Sequence, residues 1–159
     1  MLLVTIMLIS GILILLYFND PARIYSERQA EMELLSLVVA CAPFVSKTTM
    51  LSIVHVESAG NPYAIGVNSK HRANTATSHA AAVNEAKRLI ANGANIDMGL
   101  MQINVKTMKN LGLTVEQTFD PCTNLYAGAT VLTRNYYNAS RRYVSEQDAL
   151  LAAISAYNT

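Results

Sequence analysis

The chain has 159 residues, 52% of them apolar, a composition that favours one folded domain with a hydrophobic core and excludes a disordered or fibrous protein. Its 12 Lys and Arg residues are nearly balanced by 11 Asp and Glu residues. The charge balance therefore gives no support for nucleic-acid binding, and we expect no nucleic-acid partner.

The chain begins with an uncharged, apolar run at residues 1–18. As a helix this run would be about 27 Å long, which is enough to cross the hydrocarbon core of a membrane. We predict a signal sequence or an inner-membrane anchor here, and the alternative is a buried core helix. No Lys or Arg precedes the run and no A-x-A cleavage site is evident, which favours an uncleaved anchor or a misplaced start.

The segment after the apolar run separates it from the folded part of the chain. Residues 19–33 are polar and contain Pro21, which predicts a linker. The folded domain is predicted over residues 34–159 and is mainly α. Apolar residues at 34–39 predict its first helix, which ends before Pro43.

Two more helices follow in chain order. The second is predicted to begin at the N-cap Ser46, and its apolar face leads directly to Glu57, just before a turn that contains Gly and Pro. The third is capped by Thr77 or Ser78, has apolar residues at helical spacing, and ends at Gly93.

The remaining elements are two helices and one short strand. Asp120, followed by Pro, opens a helix that places Cys122 on its buried face. Ser145 opens the last helix, predicted from Ala149 to Tyr157. Its inward residues are predicted to be Leu150, Leu151 and Ile154. Residues 101–105 can form one short strand, and no segment is long enough for a major sheet.

The two cysteines, Cys41 and Cys122, are too far apart in sequence for a local metal site, and two thiols do not make a structural zinc site. In an exported protein they predict a disulfide, which would stabilise the fold by about 4 kcal/mol by closing a long loop. The alternative is two unrelated buried thiols.

Glu57 is the residue whose position most strongly indicates chemistry. A carboxylate in the last turn of a helix faces the negative end of the helix dipole, and partial burial adds to the cost of ionising it. Both effects predict a raised pKa for Glu57, which suits a general acid that works near neutral pH. A solvated surface glutamate is the alternative.

Three ordered strings carry a resemblance to a known family. They are Glu57-Ser58-Ala59-Gly60-Asn61-Pro62, Gly99-Leu100-Met101-Gln102-Ile103-Asn104 and Ala156-Tyr157-Asn158-Thr159. Their order and spacing resemble the three motifs of the soluble lytic transglycosylases, which belong to the lysozyme-like superfamily, over residues 34–159. The resemblance implies a lysozyme-like α domain with at most a small β element.

Further strings narrow this resemblance. The chain is also similar to the peptidoglycan-cleaving subunit of type IV secretion and conjugation systems. The similarity lies in residues 61–68 and 119–125 and in a helical insertion at residues 78–92. Cysteines at the positions of Cys41 and Cys122 also fit that branch. The resemblance implies a periplasmic or cell-envelope location, with peptidoglycan strands and type IV secretion components as partners.

The chemistry that the resemblance implies is cleavage of the β-1,4 bond between N-acetylmuramic acid and N-acetylglucosamine, leaving a 1,6-anhydro-muramyl end. Glu57 would protonate the glycosidic oxygen and then act as base toward the muramyl 6-hydroxyl. Neither a metal nor a cofactor is needed.

The resemblance also implies a set of substrate-binding residues. Gln102 and Asn104 would line the sugar groove, and the Tyr157 hydroxyl would form a hydrogen bond near the catalytic acid and the substrate. Ser58 and Asn158 complete the predicted set by their positions in the motifs.

Several of these assignments have alternatives. Asn104 can cap the next helix and line the groove at once. The serine that the family places in the cleft corresponds to Ser58, Ser69 or neither. Ordinary glycosidases use two carboxylates, but only one is persuasive here. Asp97 could approach the cleft, but it is better explained as a turn-forming or capping residue. Met101 is expected to pack beneath its motif.

Three other functions are alternatives to this one. A non-catalytic wall-binding or assembly protein would keep the fold, and a muramidase would let water attack the same bond. A zinc deaminase is imitated by His55-Val56-Glu57 and Pro121-Cys122, but Leu125 stands where that motif needs its second cysteine. The chain stops at Asn158-Thr159 where relatives usually continue, which predicts a domain that is incomplete at its C-terminal end.

Overall fold

The computed structural model describes residues 20–68 and 73–157, so the predictions for residues 1–18 and for Asn158 lie outside the described residues. The described residues form seven helices and three short strands. In chain order these are α1 (Pro21–Cys41), α2 (Lys47–Ser58), β1 (Ile65–Val67), α3 (His79–Ala91), β2 (Ile96–Met98), β3 (Ile103–Asn104), α4 (Val105–Asn110), α5 (Val115–Thr118), α6 (Pro121–Ser140) and α7 (Glu146–Ser155). The prediction of a mainly α fold with a small β element is confirmed.

Helix α1 occupies most of the segment for which the sequence predicts a linker. Pro21 is its first residue, a position where the missing N–H costs nothing, and the Asp20 carboxylate accepts a hydrogen bond from the Ala22 N–H at 3.0 Å. The chain divides into two compact units between Leu34 and Leu35, within this helix. No helix of the described residues is both long and apolar enough to cross a membrane.

Helix α2 follows the sequence prediction closely. Ser46 stands at its N-cap, although the Ser46 side chain makes no capping hydrogen bond. Met50, Ile53 and Val54 are buried, and the helix ends where Ala59 adopts a left-handed φ of 50°. Glu57 therefore lies in the last turn, as predicted.

The sheet has the order β1-β2-β3, and both pairs are antiparallel. Gly66 pairs with Asp97 across β1 and β2, and Asp97 pairs with Asn104 across β2 and β3. The sequence predicted only the strand that became β3. Strands of two or three residues are too short for an alternating pattern to reveal, and their pairing joins distant segments.

The helices α3, α6 and α7 begin at the caps that the sequence predicts. The side chains of Ser78, Asp120 and Ser145 each accept a hydrogen bond from the backbone N–H three residues ahead, at 3.3, 2.8 and 3.3 Å respectively. The short helix α4 is the one that Asn104 was expected to cap, whereas α5 was not predicted, although α5 begins with a capping box in which Thr114 and Gln117 bond reciprocally.

Helix α7 packs along α6, and one of its three predicted inward residues is exposed, while Leu150 and Ile154 are half-buried. Ala149 and Ala153 are its buried residues, whereas Leu151 is 55% exposed. The prediction that Leu151 points inward is wrong. Which residues of α7 are buried depends on the partner helix and not on apolar residues alone.

The predicted disulfide between Cys41 and Cys122 is present, with the two Cα atoms 5.2 Å apart. It ties the end of α1 to the first turn of α6. Cys41 is buried, but Cys122 is exposed, so the prediction that Cys122 lies on a buried face is wrong. The buried residues of α6 begin with Asn124 and Leu125.

Candidate functional site

Glu57 lies half-buried at the end of α2. Burial raises the pKa of its carboxyl group, and the negative charge of Asp97 raises this pKa further. The predicted direction is confirmed, but the contribution of Asp97 was not foreseen. No hydrogen bond from the described part of the chain reaches the Glu57 carboxyl group to stabilise its ionised form.

A groove of about 620 Å³ opens beside Glu57. It brings together four of the six residues predicted to act in catalysis or substrate binding, namely Glu57, Gln102, Asn104 and Tyr157. The other lining residues are Asn68, Asn95, Asp97, Ile103, Lys106, Thr107, Val131, Arg134, Asn135 and Ala156. Amides, two carboxylates and two cations in one groove are suited to a polar, hydroxyl-rich ligand.

A second, more apolar cavity of about 280 Å³ lies between α2 and the residues at the end of α7. Glu57 and Tyr157 border this cavity as well as the groove. Glu57 thus has polar surroundings on one side, and Ile53, Val56 and Ile154 on the other. The apolar side accounts for the desolvation that raises its pKa.

Asn104 and Asp97 form the polar floor of the groove. The Asn104 side chain accepts a hydrogen bond from the Lys106 N–H at 3.0 Å and so caps α4. Its Nδ2 donates to Asn95 Oδ1 at 2.9 Å and to Asp97 Oδ1 at 2.7 Å. The capping role of Asn104 is confirmed, and it coexists with a place in the groove.

Asp97 does not have the role that the sequence suggested. It lies within β2, where it neither caps a helix nor forms a turn, and it lines the same groove as Glu57. The favoured interpretation of Asp97 as a turn-forming or capping residue is wrong. The pairing of β2 with β1 and β3 brings it into the groove, and no local pattern reveals this pairing.

Gln102 occupies a strained position that its side chain helps to hold. Its φ of 44° is in the left-handed region, which non-glycine residues rarely adopt. Its Nε2 donates to the carbonyls of Gly99 and Ala64 at 2.9 and 3.2 Å. Its Oε1 lies so close to Gly66 that a Cβ atom there would be 2.6 Å away, so Gly66 makes room for the amide.

Asn124 on α6 supports the loop that contains Met101 and Gln102. Sequence reasoning did not identify it as an individual residue. Its Oδ1 accepts from the Met101 N–H at 2.7 Å, and its Nδ2 donates to the carbonyls of Met98 and Thr118 at 2.9 and 2.7 Å. Asn124 is only 1% exposed. The fully satisfied amide is a rigid support for the loop that carries Gln102.

Met101 packs beneath its motif, as predicted. It is fully buried, and its side chain lies against α6 where Gly128 leaves space, because a Cβ atom at Gly128 would stand 2.7 Å from it. The absence of a side chain at Gly128 therefore lets the loop rest directly on α6.

Ser58 has a different place from the one predicted. Its hydroxyl donates to the Leu100 carbonyl at 2.8 Å and also lies 3.1 Å from the Val54 carbonyl. Ser58 lines neither of the two cavities that Glu57 borders. Its observed role is to tie the end of α2 to the loop of the second motif, and a contact with substrate remains a prediction.

Tyr157 belongs to the third motif and borders both the groove and the second cavity. Its hydroxyl donates to the Met101 carbonyl at 2.7 Å, so this proton joins the third motif to the second rather than pointing to Glu57. Burial raises the pKa of the Tyr157 phenol, and the charges of Glu57 and Asp97 raise it further. Tyr157 therefore stays protonated and serves as a neutral hydrogen-bonding group.

The cysteine that imitates a zinc-deaminase motif is not available as a ligand, because Cys122 is held in the disulfide. His55, the other imitating residue, is exposed and lines neither cavity. The zinc-deaminase alternative therefore lacks the pair of metal ligands, His55 and Cys122, on which it depends.

Comparison with known proteins supports the resemblance drawn from the motifs. The chain is 41% identical over 124 residues to the type IV secretion system protein virB1 of Brucella suis biovar 1 (strain 1330), which covers 77% of this chain and 52% of that protein. It is 35% identical over 119 residues to protein virB1 of Agrobacterium fabrum (strain C58 / ATCC 33970), covering 75% of this chain and 48% of that protein. No solved structure matches this chain significantly.

The chain spans about half the length of the curated relatives it matches. The family model for the transglycosylase SLT domain matches residues 36–159, which contain all three ordered motifs and both cavities. Because this match covers most of the sequence, the chain belongs to the transglycosylase SLT domain family.

Proposed function

We propose that this chain is a peptidoglycan lytic transglycosylase that cleaves the β-1,4 bond between N-acetylmuramic acid and N-acetylglucosamine and leaves a 1,6-anhydro-muramyl end. The observation that carries the proposal is the position of Glu57, a half-buried carboxyl group with a raised pKa at the edge of a polar groove. Membership of the transglycosylase SLT domain family supports the same reaction.

In the first step, the protonated Glu57 donates its proton to the glycosidic oxygen as the bond from the muramyl C1 to that oxygen breaks. The electron pair of the broken bond goes to the leaving sugar, and positive charge develops at C1 and is shared with the ring oxygen. A raised pKa serves this step because it keeps the acid protonated at neutral pH.

In the second step, the muramyl 6-hydroxyl attacks C1 and the ionised Glu57 accepts the hydroxyl proton. The substrate itself supplies the nucleophile, so water does not enter the product. Glu57 ends the cycle protonated, as it began, and the half-buried position of the carboxyl group limits access of competing water.

The groove residues have distinct proposed roles. Asn104 and Gln102 line the groove and shape the surface on which the sugar lies, while the Tyr157 hydroxyl bound to the Met101 carbonyl holds the third motif against the second. Ser58 acts one step further away, since its bond to the Leu100 carbonyl fixes the end of the helix that carries Glu57.

We further propose that the enzyme works in the cell envelope, where it opens the wall locally for a type IV secretion or conjugation apparatus. The names of the virB1 relatives support this setting. The disulfide supports an oxidising compartment outside the cytoplasm. Residues 1–18 would attach the protein to the inner membrane.

The experiment that tests the reaction is digestion of purified peptidoglycan followed by mass analysis of the fragments. Fragments with 1,6-anhydro ends are expected. Reducing ends would instead indicate a hydrolytic muramidase, and the absence of any fragments would indicate a non-catalytic wall-binding protein. The Glu57→Gln variant is the matched control, because it keeps the shape of the side chain and cannot donate the proton.

A further inference from the structure

Two cations border the groove, and neither forms an ion pair with a described residue. Lys106 lies in the first turn of α4 and Arg134 lies on α6, and both are exposed and line the groove beside Glu57. The ion pairs within the described part of the chain join other side chains, namely Arg23–Glu27, Lys87–Glu116 and Arg88–Glu85. The ammonium group of Lys106 and the guanidinium group of Arg134 can therefore both reach an anion that enters the groove.

The two acidic side chains that line the groove do not neutralise these cations. Asp97 Oδ1 accepts a hydrogen bond from Asn104 Nδ2 at 2.7 Å, and Asp97 Oδ2 accepts one from Asn68 Nδ2. The pKa of Glu57 is raised, which favours its protonated and uncharged form. Two cations thus face one anion among the described lining residues, and that anion is already held by amides.

The sugars of the proposed substrate give no reason for two cations. They present hydroxyl and acetamido groups, which are uncharged, and the lactyl carboxyl group of the muramyl sugar is tied up in its amide bond to the stem peptide. The anionic groups of the polymer are the free carboxylates of that peptide. A groove that bound the glycan alone would gain little from charged donors, whereas carboxylates form their strongest hydrogen bonds with them.

We propose that Lys106 and Arg134 bind the carboxylates of the stem peptide, so that the groove selects peptide-bearing muramyl residues over bare glycan. The inference rests on the proposed transglycosylase reaction and names the substrate class on which that reaction acts. The planar guanidinium of Arg134 can donate to both oxygens of one carboxylate, and the ammonium of Lys106 acts as a point charge. Thr107 and Asn135, the residues that follow them in sequence, line the same groove and add neutral donors.

The proposed contacts affect substrate selection and not the chemical step. Each is an ion pair with an exposed cation, which in water contributes only modestly to binding, so the two together account for a preference of roughly tenfold. The preference should be expressed in KM, with little change in kcat. Because exposed charges are screened by ions, it should also fall as the salt concentration rises.

The first test compares soluble, uncrosslinked glycan strands that keep their stem peptides with strands from which an amidase has removed them. We expect the wild-type kcat/KM to favour the peptide-bearing strands roughly tenfold. In the full chain with Lys106→Gln and Arg134→Gln, this ratio should fall close to one, mainly through KM. An unchanged ratio in this variant, or a wild type without any preference, would overturn the proposal.

A matched control removes the same charge outside the groove. Lys109 lies on α4 and Arg141 directly follows α6, and both are exposed and absent from the groove lining. The variant with Lys109→Gln and Arg141→Gln should keep the wild-type ratio. An equal loss of the preference in the control would show that only the net charge of the protein matters, and the proposal would then be wrong.

A binding measurement separates this inference from the proposed reaction, because it needs no turnover. The full chain with Glu57→Gln is titrated by calorimetry with a muramyl tripeptide that has free carboxylates, and with the same compound carrying carboxamides. We expect the carboxylate form to bind roughly tenfold more tightly at low salt, and equal affinities would overturn the proposal. A protein that makes this distinction while its wild type releases no anhydro fragments would instead refute the proposed reaction and leave the peptide recognition standing.

Discussion

Glu57 and Glu85 are both poorly exposed glutamates on helices, yet their pKa values move in opposite directions. The pKa of Glu85 falls to about 2, chiefly because the Arg88 guanidinium donates to both of its oxygens, at 2.8 and 2.7 Å. The backbone N–H and side chain of Asn74 donate to the same carboxylate at 2.7 and 3.2 Å. Burial alone therefore does not decide the pKa of a carboxyl group here.

What distinguishes the two residues is the charge and hydrogen-bonding capacity of their neighbours. Glu85 lies in the helical insertion, where a cation and two N–H donors favour its ionised form and hold the loop before α3 against that helix. Glu57 has an apolar cavity on one side and an anion, Asp97, in the groove on the other. The carboxylate in the insertion is held by a cation and by N–H donors, whereas the Glu57 carboxyl group receives no hydrogen bond from the described residues.

The largest difference between Glu57 and Glu85 is expected when the ionisable group is removed at each position in turn. Glu57→Gln should lower kcat by about 10³-fold, because the proton donor is lost, and should leave the fold intact. Glu85→Gln is the control on a helix outside the groove and should retain kcat. Activity on purified peptidoglycan and thermal unfolding measured side by side would test both, and an active Glu57→Gln would end the assignment of the acid.

A second change tests whether the groove depends on the amide beneath it. Asn124→Ala leaves the Met101 N–H and the carbonyls of Met98 and Thr118 without their side-chain partner, which should lower the free energy of unfolding by about 2–4 kcal/mol. Asn138→Ala, at an exposed position of the same helix, should change it by less than about 0.5 kcal/mol. Urea denaturation of the two variants measures the difference, and equal stabilities would refute the supporting role of Asn124.

The smallest expected effect concerns Glu85 itself. Its pKa in the folded protein, about 2, lies below its ordinary value of 4.5, so its stabilising contribution is present above that value and is lost as the pH falls toward 2. Glu85→Gln should lower the free energy of unfolding at neutral pH by about 1–2 kcal/mol. It should also make the free energy of unfolding less dependent on pH in the acid range. Denaturation at neutral pH and between pH 4.5 and 2 provides the check. A variant with the same acid dependence as the wild type would contradict the role given to Glu85.

Sequence reasoning succeeded where the determinants of structure are local. The caps at Ser78, Asp120 and Ser145 were predicted, because each cap bonds to a backbone N–H only three residues away. Sequence reasoning failed where the packing of a neighbouring helix or strand decides which residues are buried. The exposure of Leu151 and Cys122 depends on how α7 and α6 pack, and periodicity within one helix does not show which face its neighbour covers.

In the candidate site, too, the sequence predicts some features and the tertiary contacts decide the others. Three motifs in order pointed to Glu57, Gln102, Asn104 and Tyr157, and all four line one groove. The sequence did not reveal the bond from Tyr157 to the Met101 carbonyl, which joins residues 56 positions apart. It also did not reveal the amide support from Asn124, because a buried asparagine in a helix has no distinctive local pattern.

For Glu57, the sequence by itself determined the residue type, its place in the last turn of an apolar helix and the direction of its pKa shift. The family membership was also present in the motifs. Only the tertiary structure decided that Asp97 faces the same groove, since strand pairing over three-residue strands brings it there. The physical reason is that the apolar pattern of one helix already indicates partial burial of its last turn, which raises the pKa of a carboxyl group there, whereas the charge of a distant residue acts only after the chain has folded.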